Sequence, residues 1–178
     1  MRLFTAIALP TPIISALSTL QGSLAGVTWN RPNSYHLTLR FIGEVRNYAL
    51  MNDIDLALRR INASAFDITV QNVGIFDQAN QHKILWAGVA PCKALEHLNR
   101  KVEQALRNLD LPMPRKRFYP HITLARTQNI HNDKLAQWVQ TYNLFSLPPI
   151  RITQFSLFSS HSLEDNPYYI PEVDYLLH

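Results

Sequence analysis

Apolar residues along this chain change their spacing several times, and each change marks a new element. RLFTAIAL (Arg2–Leu9) is an unbroken apolar run closed by Pro10, the pattern of a short buried strand. A helix is expected next, with Thr11 as its cap, Pro12 in the first turn, and Ile13, Leu17 and Leu20 at helical spacing. RPNSY then reads as a turn, HLTLRFI from His36 as a strand, and Gly43 as its end. Leu50, Met51, Ile54, Leu58 and Ile61 recur every three or four positions, which predicts an amphipathic helix. Phe66, Ile68 and Val70 alternate as a strand.

The same order then returns. KILWAGVA reads as a strand ended by Pro91, followed by a helix whose core stripe is Leu95, Leu98, Val102, Leu106 and Leu109. LPMPRKRFYP is a loop, HITLAR from His121 a strand, Lys134–Tyr142 a helix, and IRITQFSLFSS a further strand. Each half therefore runs strand, helix, loop, strand, helix, strand. With two copies of so long a period, this is an internal duplication rather than a solenoid. The expected fold class is α+β. Two pseudo-two-fold-related lobes, each a mainly antiparallel sheet with helices on its outer face, should surround a central cleft. The 178 residues are expected to form a single bilobal domain, with sequence halves at about 1–80 and 81–178.

Both halves spell His-x-Thr in the strand after the loop. Residues two apart in a strand share a face, so His36 and Thr38 point together while Leu37 and Leu39 take the opposite side. His121 and Thr123 repeat this over Ile122 and Leu124. Two imidazoles across a cleft suit a reaction that removes one proton and supplies another, because imidazole titrates near neutrality. Threonine hydroxyls are short, stiff donors suited to the oxygens of a tetrahedral anion, which points to phosphate.

Composition narrows the classes without choosing among them. Hydrophobic residues make up 47% and charged residues 17%, enough apolar material for a real core. The formal net charge of +4 fits an anionic substrate or a transient nucleic-acid contact. Cys92 is the one cysteine, so an intrachain disulfide and a cysteine metal cluster are both excluded, and a cytoplasmic location is expected. Pro10 and Pro12 break the apolar N-terminus, against a signal peptide, and no run is long enough to span a bilayer. Neither His-x-Thr has a second ligand at a zinc spacing. No G-x-S-x-G elbow or glycine-rich phosphate loop occurs, so no metal and no cofactor is expected.

HLTLRFIGEV and FYPHITLAR, with RLFTAIALP and LWAGV at their flanks, resemble the two-histidine (2H) phosphoesterase superfamily and, within it, the LigT-like RNA 2′,3′-cyclic phosphodiesterases, also called 2′-5′ RNA ligases. The likeness covers nearly the whole chain. It implies metal-independent opening of an RNA or nucleoside 2′,3′-cyclic phosphate to the 2′-phosphomonoester, with 2′-5′ ligation as the reverse reaction. By position, His36 is the implied proton donor and His121 the proton acceptor. Thr38 and Thr123 are the implied phosphate-binding residues, with Arg126 beside them. The implied partners are RNAs ending in a 2′,3′-cyclic phosphate, tRNA fragments among them, and a monomer free of any membrane is the expected form.

Several residues stay ambiguous in sequence. Strict alternation puts Arg126 on the Ile122 side, away from the histidine, and puts Arg40 on the His36 side as a phosphate contact or a solvated rim charge. RKRFYP (Arg115–Pro120) combines cations with aromatics in a way that suits RNA. Tyr168 and Tyr169 either edge the pocket or enter the core. His82, His97, His131, His161 and His178 read as surface residues. Two rival functions remain: a non-catalytic module that binds an RNA end, and an enzyme of this class acting on another cyclic nucleotide or a 2′-5′ oligonucleotide.

Overall fold

The computed structural model describes residues 1–112, 117–163 and 166–178. The strands are β1 (Arg2–Ala8), β2 (Thr28–Trp29), β3 (His36–Glu44), β4 (Phe66–Ile68), β5 (Val70–Asp77), β6 (His82–Val89), β7 (His121–Gln128), β8 (Ile150–Ile152), β9 (Gln154–Leu163) and β10 (Asn166–Leu176). The helices are α1 (Thr11–Ser18), α2 (Tyr48–Arg59), α3 (Lys93–Leu106) and α4 (Asn132–Tyr142). All strand pairings are antiparallel. The main sheet has the order β10-β9-β1-β3-β7-β6-β5, with β2 added beside β7, and β4 pairs with β8 in a small second sheet.

The architecture is the α+β one expected, and the way the halves share it is informative. β3 and β7 meet at a single pair, Leu37 opposite Ile122, so the main sheet has a seam between the two His-x-Thr strands. On one side lie β10, β9, β1 and β3; on the other lie β7, β6 and β5. The late strands β9 and β10 thus complete the sheet begun by β1 and β3, while β5 crosses to pair with β6. The small β4–β8 ladder sits at the point where both crossings begin.

Leu37, Leu39, Ile122 and Leu124 face the helices, where they join Ile13 and Leu17 of α1, Ile54 and Leu58 of α2, the α3 stripe, and Leu135 and Trp138 of α4 in one continuous core. β1 is buried from Leu3 to Ile7 because both of its faces are covered. Leu3 and Ile7 enter this core, whereas Phe4 and Ala6 pack with Phe158 and Tyr169 on the opposite face. An unbroken apolar run is what a strand buried on both sides requires.

Local corrections have physical reasons. Thr11 is the first helical residue and Pro10 occupies the cap, with no side-chain capping bond. The run Phe66–Val70 divides between β4 and β5, and IRITQFSLFSS divides between β8 and β9, because the chain changes sheets at Thr69 and Thr153. β10, rich in proline, is an edge strand, where a missing N–H is tolerated.

Candidate active site

His36 and His121 open their strands in the same way. The Nδ1 of His36 lies 2.7 Å from the carbonyl oxygen of Ser34, and the Nδ1 of His121 lies 2.7 Å from that of Tyr119. A carbonyl oxygen can only accept, so each Nδ1 carries a proton. Each Nε2 then presents a lone pair when the ring is neutral and a proton when it is charged. This is the orientation that both a general base and a general acid require.

The surroundings of the two rings differ. His36 packs against Phe4 at 4.9 Å and edge-on against Tyr169 at 4.8 Å between ring centroids. His121 meets Phe76 edge-on at 4.9 Å, with Trp86 and Tyr119 completing that wall. Tyr169 comes from β10, a strand without a counterpart beyond β5. Burial pushes both imidazoles below the ordinary histidine range, and the Nδ1 bonds only partly offset this. His36 is lowered further by the charges of His121 and Arg126.

Trp86 can lie against the sheet because Gly74, its partner on β5, has no side chain. A Cβ built on Gly74 would lie 2.2 Å from the indole ring. Close approach of a ring to a neighbouring strand is a typical use of glycine.

A β-bulge follows each His-x-Thr. In β3 the pairing with β1 passes from Ala6–Thr38 to Thr5–Arg40, leaving Leu39 without a partner there. In β7 the pairing with β6 passes from Trp86–Thr123 to Leu85–Ala125, leaving Leu124 out. One extra residue reverses the side on which the side chains just after it lie. Strict alternation is therefore wrong beyond these points. Arg126 stands exposed on the His121 and Thr123 face, while Arg40 turns to the helix side, 3% exposed. There Arg40 pairs with Glu103 and donates to the carbonyl of Pro112 at 3.2 Å. It is neither a rim charge nor a phosphate contact.

The position matching Arg126 in the first motif is Phe41, 64% exposed, with its ring 6.0 Å from Phe4. Sequence reasoning missed Phe41. Its signal was the pair of matching motifs: once Arg126 was singled out, the residue at the same offset from His36 followed. The β7 bulge is held by Asn30, whose N–H donates to the Leu124 carbonyl at 2.8 Å and whose side-chain amide donates to that of Thr123 at 3.3 Å.

In RKRFYP, Arg115 and Lys116 lie outside the described residues, Arg117 is exposed, Phe118 packs on the core, and Tyr119 is 55% exposed beside Phe76 and Trp86. Tyr168 is not core but stacks on His161. His161 is not a loose surface group either, since its Nε2 lies 2.7 Å from the Ser159 hydroxyl. Among the described residues, no group of three or more His, Cys, Asp or Glu gathers to hold a metal, and no helix is long and apolar enough to cross a membrane.

Two histidines with matched Nδ1 anchors, with Thr38, Thr123 and Arg126 on the same strand faces, offer the groups that acid–base chemistry at an anion uses, and the fold is shared with a solved phosphoesterase. Escherichia coli LigT, solved with 3′-AMP, superposes with a TM-score of 0.80 at 22% identity over 99% of this chain and 97% of that one. The chain belongs to the 2′-5′ RNA ligase superfamily, whose model matches residues 18–162. It is similar to the RNA 2′,3′-cyclic phosphodiesterase of Archaeoglobus fulgidus, 28% identical over 172 residues, or 95% of this chain and 96% of that protein. A protein of the same name from Geobacillus stearothermophilus is 33% identical over 129 residues, 69% of this chain and 41% of its own length.

Proposed function

We propose that this chain is an RNA 2′,3′-cyclic phosphodiesterase, working without a metal as a cytoplasmic monomer. The observation that carries this reading is the matched pair of histidines, each held through Nδ1 with Nε2 left to act. Water attacks phosphorus as His121 takes its proton. The bond from phosphorus to the 3′ oxygen breaks, and His36 protonates that oxygen. The product is the 2′-phosphomonoester, and both histidines have exchanged one proton. With an RNA 5′-hydroxyl in place of water, the same steps make a 2′-5′ linkage.

Thr38, Thr123 and Arg126 grip the phosphoryl oxygens, where fixed donors stabilise the charge that builds in the transition state. Burial and the nearby Arg126 lower the proton affinity of His36, and a substrate anion beside it would raise that affinity again. Phe41 offers an exposed ring to the nucleobase, whose stacking is worth about 1–3 kcal/mol. Relatives bearing the name RNA 2′,3′-cyclic phosphodiesterase, aligned over nearly the full chain, support the choice of substrate.

The test is to incubate the protein, in EDTA, with each 2′,3′-cyclic nucleoside monophosphate and with a short RNA ending in a cyclic phosphate, resolving products against 2′- and 3′-phosphate standards. The 2′-phosphate should form, and His36→Ala or His121→Ala should lose about 10²–10⁴-fold in turnover while remaining folded. Full activity in either variant would remove its histidine from the mechanism. Tight binding of the RNA end without turnover would leave a binding module.

A further inference from the structure

The α3 stripe has one polar intruder. Leu95, Leu98, Val102 and Leu106 line the core, and Asn99 sits among them, only 7% exposed. An amide there is costly unless it is bonded. Its Nδ2 donates to the carbonyl of Leu39 at 2.9 Å, which is the bulged residue of β3. One turn further along α3, Glu103 pairs with Arg40, the next residue of the same bulge. Thus two residues on one face of α3 meet two features of the bulge: the carbonyl of Leu39, a residue with no register partner on β1, and a guanidinium buried on the helix side.

We propose that Asn99 and Glu103 are positioning residues that hold the β3 bulge in place, and so decide that Phe41 rather than Arg40 faces the substrate. An unbulged β3 would alternate normally, setting Arg40 beside Thr38 on the open face and turning Phe41 toward the helices. The second motif supports this division of labour. There the residue equivalent to Arg40 is Ala125, which needs no ionic partner, and the bulged Leu124 carbonyl is taken by a backbone N–H. The clamp with an ionic partner, Glu103 on Arg40, is found in the lobe where a charged residue has to be kept out of the site. Its functional consequence rests on the reading above that Phe41 stacks a base.

Two measurements test it. The first is labelling by p-hydroxyphenylglyoxal, with the modified arginines located by peptide mass. Arg40 should resist labelling in the wild type while exposed Arg126 reacts, and in Asn99→Leu it should label at least about tenfold faster. The second is turnover of 2′,3′-cyclic AMP against the base-free 1-O-methylribose 2′,3′-cyclic phosphate. Phe41→Ala should raise KM for the nucleotide by roughly tenfold and affect the base-free compound far less. Asn99→Leu should raise KM for the nucleotide relative to the base-free compound likewise, and in that ratio the double variant should be no worse than either single one. Asn99→Ser, too short to reach Leu39, is the substitute if Asn99→Leu does not fold. Continued protection of Arg40 in a folded Asn99 variant, or penalties that multiply in the double variant, would overturn the proposal. Labelling reads the bulge without any turnover, so failure of the hydrolase reading would be seen separately.

Discussion

Gly74→Ala is the smallest change that should reach His121 without touching it. The new Cβ would lie 2.2, 2.4 and 2.7 Å from three indole carbons of Trp86, so the ring must give way by more than an ångström. That indole packs against Phe76, Tyr119 and His121, and its movement is passed directly to the aromatic wall around His121. Overpacking of this kind costs about 1–3 kcal/mol, with a melting temperature lower by about 2–4 °C for each kcal/mol in a chain of this size. Displacing a reacting group by 1 Å can cost ~10²-fold in rate. The sign is diagnostic, since Gly74 has no positive φ and a clash-free alanine would stabilise by about 0.4–1 kcal/mol. Thermal unfolding and kcat on 2′,3′-cyclic AMP would be measured for Gly74→Ala, Trp86→Leu and the double variant. Both quantities should fall in Gly74→Ala, and stability should partly recover in the double variant. A Gly74→Ala protein as stable and as fast as the wild type would refute the proposed contact.

Other outcomes follow from the same geometry. Because burial lowers the proton affinity of His36, the unfolded chain binds a proton first as pH falls through the ordinary histidine range near ~6.5, and folding loses stability there. His36→Asn should therefore gain in melting temperature relative to wild type at about pH 5, with the gain shrinking at about pH 8; a constant offset would contradict the linkage. Arg126→Ala should raise KM for a cyclic-phosphate RNA and flatten the log–log salt dependence by about 0.7. It should also move the His36 limb of the kcat/KM profile to higher pH by removing a nearby cation, and an unmoved limb would place Arg126 away from His36.

The strands, helices and paired histidines were legible because each rests on a local pattern: apolar runs, helical stripes, and a repeated His-x-Thr. The bulges were not. They depend on pairing with β1 and β6, which no period within β3 or β7 reports, and so Arg40 and Arg126 were both assigned to the wrong side by simple counting. A faint trace exists in hindsight. Arg126, Thr127 and Gln128 alternate out, in, out only if Leu124 and Ala125 both point inward. β10 was hidden by its prolines, and with it the closeness of Tyr169 to His36, a contact made by residues far apart in the chain. Asn99 interrupts the apolar stripe of α3, and no helical period reports its bond to the Leu39 carbonyl, which depends on the bulge in β3.

The crossing of β5 and β9 into the opposite sheets bears on what a half-length chain could be. Cut between 80 and 81, the first piece would hold β1 and β3 without β9 and β10, and also β5 without β6; the second would lack the complementary set. Neither would have a finished sheet, and each would present bare strand edges that only the other covers. In the full chain each half of the sequence covers strand edges of the other, and the two need not be alike: at the same offset from its histidine one carries Arg126 and the other Phe41.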